Sequence, residues 1–271
     1  MKPSELSKRM KMYEKMNSYQ FSCVHEKPVI ARIDGRCFSS FTKSFDQPFD
    51  EEFSEAMIHT TKKLLNETCA RFGYTQSDEI SLVFFADSEN QDIWFSGKQQ
   101  KMASQLAALA TLYFYKFGMD KFPYKIRDKE PSFDCRVFVV PSPAEACNYL
   151  IWREKDAVKN SISSYARHFF STKKLMGVNS SSKIKMLEDI GEDWNEIKKE
   201  FRNGTFIVRK ETDLPFDDKD LEKLPEKHHA RTQKDFKVIR HDIVSLDIPK
   251  MIDIQNREEV VFHGKEPTFK K

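Results

Sequence analysis

Val29-Ile30-Ala31-Arg32-Ile33-Asp34-Gly35 is the stretch on which the reading of this chain turns. It follows a break at Lys27-Pro28, runs through apolar, largely β-branched residues, and stops at a turn dipeptide, so it reads as a buried strand with a carboxylate at its end. Downstream, residues 50–65 place Phe53, Met57, Thr60/Thr61 and Leu64 on one face and read as a helix. Residues 68–73 and 80–86 then read as two strands, with the polar Thr75-Gln76-Ser77-Asp78-Glu79 as the hairpin turn between them. With one helix separating them, the strand ending at Asp34 can lie beside the hairpin in one sheet, which brings Asp34 to Asp78 and Glu79.

The rest of the chain alternates irregularly between the two periods. Residues 5–16 carry Leu6, Met10 and Tyr13 on a narrow apolar stripe, and residues 98–117 form a long helix with Lys98 and Lys101 in its first turn. A strand at 136–140 leads to Ser142-Pro143, a capping serine before a proline at the first helical position. The helix that follows, 144–170, shows a polar stripe of Arg153, Asp156, Asn160, Ser164 and Arg167 at spacings of three and four. Short helices are expected at 182–190 and 194–201, a strand at 205–208, a charged excursion over 211–235, and late strands at 239–246 and 259–262. This pattern predicts an α/β (α+β) sheet with helices packed on it, not a bundle or a sandwich.

Composition narrows the class. The 271 residues include 23 Phe, with 39% hydrophobic and 32% charged residues, which excludes disorder as the main state. The mean hydropathy is -0.64, and no run approaches the ~20 apolar residues of a membrane span, so a cytoplasmic protein with no membrane partner is expected. A net charge of +3 leaves a polyanionic partner to local patches, such as the lysines of 173–185. The five cysteines lack the spacing of a disulfide framework or zinc knuckle, and His228-His229 reads as solvated loop.

Two carboxylates from neighbouring strand ends repel unless cations sit between them, and Mg²⁺ with oxygen ligands is the natural match. Lys98 and Lys101 offer positive charge for a phosphate-rich substrate. Against this stands the plainer reading, in which Asp-Gly is a turn and Ser-Asp-Glu a solvated hairpin tip.

Three blocks resemble the tRNA-histidine guanylyltransferase superfamily in order and spacing: Ala31-Arg32-Ile33-Asp34-Gly35-Arg36-Cys37-Phe38, Tyr74 to Phe84, and Trp152-Arg153-Glu154-Lys155-Asp156. The similarity runs from about Arg9 to about Arg209. It implies a polymerase-like palm, with residues 1–140 as the catalytic core and 141–271 completing the sheet and contacting tRNA, the two forming one continuous domain. It also implies addition of nucleotides to the 5′ end of tRNA. Carried to matching positions, the resemblance makes Asp34, Asp78 and the Gly35 carbonyl ligands of two Mg²⁺ ions, with Glu79 in support as a catalytic residue. Arg36, Cys37, Phe38, Ser39, Asp50, Ser77, Lys98 and Lys101 bind ATP or GTP, Arg153 and Asn160 bind tRNA, and the assembly is a homotetramer. The chain departs from the pattern at Gln47, where a basic residue is frequent.

A second departure bears on the branch. Members devoted to histidine tRNA carry His-Ile-Asn-Asn where this chain has Val158-Lys159-Asn160-Ser161, and tend to carry Gly at Thr75. The sequence therefore resembles the guanylyltransferase-like proteins, which implies template-dependent 3′-to-5′ addition that repairs 5′-truncated tRNAs after activation by ATP or a 5′-triphosphate. The alternatives are dedicated guanylate addition to histidine tRNA, a tRNA-binding protein without catalysis, and a palm-like nucleotide cyclase.

Overall fold

The computed structural model describes residues 5–16, 19–20, 27–88, 91–215, 222–226 and 237–269. Six strands, β1 (Val29–Gly35), β2 (Phe72–Gln76), β3 (Glu79–Phe84), β4 (Phe133–Val139), β5 (Thr205–Pro215) and β6 (Lys237–Leu246), form one sheet in the order β4-β1-β3-β2-β5-β6. Every neighbouring pair is antiparallel. The helices are α1 (Glu5–Met16), α2 (Phe38–Phe41), α3 (Glu51–Thr68), α4 (Gln99–Lys121), α5 (Pro123–Ile126), α6 (Pro143–Phe169), α7 (Thr172–Leu175), α8 (Ser180–Glu188), α9 (Lys199–Asn203) and α10 (Arg257–His263).

Strand alternation divides the core in two. Val29, Ala31, Ile33, Ile80, Leu82 and Phe84 face α3 and α4, where they meet Met57, Leu64, Leu106 and Phe114. Ile30, Phe72, Tyr74, Val83, Phe206 and Val208 face the other way, onto α6 and the C-terminal segment with Val260 and Phe262. A smaller cluster of Ile162, Ala166, Leu175, Leu187 and Trp194 packs the second half of α6 against α7 and α8. Strands from both halves of the chain thus share one sheet. At Gly73 a Cβ would stand 2.5 Å from Leu65 Cδ1, so glycine lets α3 lie close on β2.

Five expectations are corrected. The hairpin is tighter than five residues: β2 starts at Phe72 and the turn is Ser77-Asp78, with Ser77 at φ 47°. Thr68 belongs to α3, where its hydroxyl donates to the Leu64 carbonyl at 2.7 Å. Residues 259–262 are helical, because Glu258 and Glu259 favour a helix start, Gly264 ends it at φ 63°, and Val260, Val261 and Phe262 are all buried. The second short helix divides into a single turn at Trp194–Glu196 and α9. The charged excursion is partly strand, since β5 continues to Pro215 and pairs with β6; 216–221 and 227–236, with His228-His229, lie outside the described residues, as does Cys23. Ser142 caps α6 as expected, accepting from the Glu145 amide at 3.3 Å. The four described cysteines are free, and burial pushes the thiols of Cys135 and Cys147 up to about 12.

Asp50 opens α3. Its Oδ1 accepts from the Phe53 amide at 2.8 Å, and its Oδ2 from the Asp46 amide at 2.8 Å and from Lys125 Nζ at 2.6 Å. Burial pushes this carboxyl up, but Lys125 and the two amides outweigh burial and hold it below its ordinary value. Asp50→Ala is therefore expected to cost about 1–2 kcal/mol, chiefly the lost cap, in urea unfolding at neutral pH, since Lys125 keeps its ion pair with Glu52 at 2.6 Å. A depressed carboxyl contributes above its unfolded pKa and loses that contribution as pH falls through the folded one, so variant and wild type should converge in acid.

Candidate active site

The end of β1 and the β2–β3 turn are locked together by backbone. The Gly35 amide donates to the Asp78 carbonyl at 3.0 Å, and the Arg36 amide to Ser132 O at 2.8 Å. In register, Asp34 stands opposite Glu79 on one side and Asp134 on the other. A Cβ at position 35 would lie 2.4 Å from the Phe38 ring and 2.9 Å from Asp78 Cβ. Only glycine therefore lets the Asp78 turn and the Phe38 ring close on this strand end.

The two turn carboxylates differ from Glu79 in how their charge is answered. Glu79 is 3% exposed and is gripped by Arg153, whose Nε and Nη2 donate to its two oxygens at 2.6 Å each. Arg32 Nη2 lies 2.9 Å from both Glu79 Oε2 and Asp34 Oδ2, while its buried Nε has no partner. Arg153 also reaches Asp156 at 3.2 Å, which accepts from Asn160 at 3.3 Å. A chain of polar contacts thus runs from α6 to Asp34. Asp78 makes no ion pair among the described residues; burial first, and then the negative charge of Asp34 and Glu79, push its carboxyl up to about 6.

Beside the turn opens a cavity of about 580 Å³ between β2, α3 and α6. Phe38, Ser39, Asp50, Ser77, Asp78 and Asn160 all line it, so six of the residues singled out in the sequence converge. Both Asp50 oxygens are already engaged, Oδ1 by the α3 cap and Oδ2 by the Asp46 amide and Lys125. Ser164 and Arg167 line the wall as well; from the sequence they read as a solvated face, and their spacing with Asn160 was the signal. Lys43 joins them with no motif to mark it.

Other expected site residues lie elsewhere. Arg36 and Cys37 are exposed at the turn and do not line the cavity. Arg153 is 3% exposed, and its guanidinium is directed to Glu79. Glu79 is engaged by both Arg153 and Arg32. Lys98 precedes α4 as its cap, and Lys101 Nζ lies 4.3 Å over the Phe95 ring. That helix start is beside Val137, whose carbonyl accepts from Gln99 at 2.8 Å. Val137 is four residues along β4 from the Phe133–Gly35 pair, or about 13 Å, so these lysines do not join the turn of their own chain.

Removing Arg153 leaves the buried Glu79 with Arg32 alone, so Arg153→Ala is expected to destabilise the fold by roughly 3 kcal/mol in denaturant unfolding, the low end for breaking a buried pair. Arg153→Lys should recover only part of this, because an ammonium cannot reproduce the two-pronged contact.

A family model described as tRNAHis guanylyltransferase matches residues 7–141. The tRNA(His) guanylyltransferase of Debaryomyces hansenii is 28% identical over 225 residues, spanning 76% of this chain and 82% of that one. A bacterial tRNA(His) guanylyltransferase (Thg1)-like protein solved with ATP superposes at a TM-score of 0.70 with 34% identity, over 76% of this chain and 87% of that one. The corresponding structure with GTP gives a TM-score of 0.63 and 33% identity, over 76% and 86%. Sequence and fold agree: this chain belongs to the tRNA-histidine guanylyltransferase family and is a nucleotidyltransferase of palm-like fold.

Proposed function

We propose that this enzyme adds nucleotides in the 3′-to-5′ direction to the 5′ end of truncated tRNAs, directed by the opposite strand. The observation that carries the reading is the closure of the Asp34 strand end on the Asp78 turn, with Asp78 lining a nucleotide-sized cavity. The donor chemistry suits Mg²⁺: carboxylates at two adjoining turns, one of them without an ion pair among the described residues. Among the described residues no three His, Cys, Asp or Glu side chains gather to hold a metal, and this reading takes the Gly35 carbonyl as the third ligand. When bound there, two Mg²⁺ ions supply Lewis acidity and neutralise phosphate charge.

The chain's own residues do the positioning. Ser39, Ser77 and Asn160 present hydrogen-bonding groups to a nucleotide in the cavity, Lys43 and Arg167 bring positive charge, and Phe38 closes one side. The Arg153–Glu79–Arg32 chain fixes the rotamer of Asp34. In this reading the tRNA 5′-phosphate attacks ATP and releases pyrophosphate to give an adenylylated 5′ end, or the RNA already carries a 5′-triphosphate; the 3′-hydroxyl of the incoming nucleoside triphosphate then attacks the 5′-phosphoryl group, loses its proton to solvent, and displaces AMP in the first case or pyrophosphate in the second. Lys98 and Lys101, remote from the turn of their own chain, would serve a triphosphate bound to a neighbouring chain of a homotetramer. The exposed Met10, Met12, Tyr13 and Met16 of α1 give such an assembly an apolar surface.

Val158-Lys159-Asn160-Ser161 and Thr75 favour repair, whereas the GTP complex of the bacterial neighbour favours guanylate addition to histidine tRNA. One assay separates them: a 5′-truncated non-histidine tRNA with ATP, Mg²⁺ and the complementary nucleoside triphosphates. Extension across several templated positions is expected, with loss of at least about a hundredfold in Asp78→Ala of unchanged thermal stability. A single guanylate added only to histidine tRNA would favour the second reading, and near-normal extension by a folded Asp78→Ala would defeat both metal assignments.

A further inference from the structure

At the end of the sheet away from the Asp34 turn, Arg71, Asp87, Arg209, His241, Phe262, His263 and Lys265 enclose a second cavity of about 220 Å³. It is assembled where β2 begins, β3 ends and α10 crosses β5: the Arg71 amide donates to Val83 O at 2.8 Å, the Arg209 amide to Arg71 O at 3.2 Å, and the Phe262 ring sits 4.7 Å from that of Phe85. Arg71 is seven residues along the hairpin from Asp78, which sets the two cavities roughly 20 Å apart.

Charge here is out of balance. Arg71, Arg209 and Lys265 are cations, and His241 and His263 can become so, while Asp87 is the one carboxylate among the described residues of the lining. Asp87 pairs with Arg71 and lies 4.0 Å from His263. Arg209 is partly buried, and its guanidinium donates only to the carbonyls of Ala70, at 3.2 Å, and Leu65. Burial, with Arg71 adding to it, holds the Arg209 pKa below its ordinary value. Lys265 makes no ion pair among the described residues.

A small, polar cavity with surplus guanidinium and ammonium charge selects a compact anion with several acceptor oxygens. At about 220 Å³ it is below the size that seats a whole nucleotide. We propose that this cavity binds a phosphate group: a backbone phosphate of the bound RNA, or a free phosphate ion. The RNA source rests on the function proposed above; the phosphate chemistry does not. Arg209, His241, Phe262, His263 and Lys265 lie beyond residues 7–141 and Arg71 and Asp87 within them, so the site is completed by the C-terminal part of this chain.

The test uses the full-length protein, with Lys265→Glu and Arg71→Gln compared with wild type after matching their melting temperatures. Binding of a 5′-truncated tRNA is titrated between 50 and 200 mM salt, roughly the range over which phosphate contacts declare themselves. Lys265→Glu is expected to weaken binding about fivefold and to lower the slope of log affinity against log salt by about one. In a parallel arm, inorganic phosphate is titrated and thermal stabilisation recorded. Stabilisation in wild type that both variants lose, with unchanged tRNA binding, would assign the site to free phosphate. If neither variant changes the salt slope or the phosphate response, the proposal is overturned. Should wild type bind no tRNA, the failure lies with the function proposed above, and the phosphate arm alone decides this cavity.

Discussion

The charge carried by three carboxylates at one sheet end is the constraint around which this protein is arranged. Asp34, Asp78 and Glu79 converge there because an antiparallel hairpin lies beside β1 and a glycine lets the two turns close. Two guanidiniums answer them unequally. Arg153 and Arg32 neutralise Glu79, and Arg32 shares its second contact with Asp34. Asp78 is left without an ion pair among the described residues, half enclosed and facing like charge. A buried, fully satisfied pair thus orients a site whose own charge stays unsatisfied, which is the combination a cation site requires.

The buried network also explains why α6 belongs to the catalytic half although it follows it in sequence. Arg153 points inward to Glu79, while Glu154, one residue on, accepts from the Met251 amide at 3.0 Å and from Asn203 at 3.4 Å. Adjacent residues of one helix therefore fasten the Asp78-Glu79 turn and the C-terminal segment at once. Asn160, Ser161, Ser164 and Arg167, further along the same helix, form a wall of the cavity. The helix that holds the carboxylates in place also shapes the space beside them.

How much of this was legible depended on how local the deciding interaction was. The strand ending at Asp34, the Ser142 cap and the polar stripe of α6 follow from neighbours within a few residues, and each emerges from the sequence. The inward turn of Arg153 does not, because its partner Glu79 is 74 positions away. A polar stripe looks the same whether it faces solvent or a cavity, so Ser164 and Arg167 were read as solvated. Val260-Val261-Phe262 has the composition of a strand and became helix because burial from several sides, and the glycine after it, overrode propensity. Lys98 and Lys101 were placed near phosphate by the resemblance, and only the direction of α4 along the sheet shows them at its other end.

The central claim is that Asp34 and Asp78 form a divalent-cation site whose geometry is set from behind by Glu79. Crystals grown with Mn²⁺ and a non-hydrolysable nucleoside triphosphate test it directly through anomalous scattering. Peaks between the two carboxylates and the Gly35 carbonyl in wild type, lost in Asp78→Asn, are the expected result. Manganese bound elsewhere, or retained at this turn without Asp78, would contradict it.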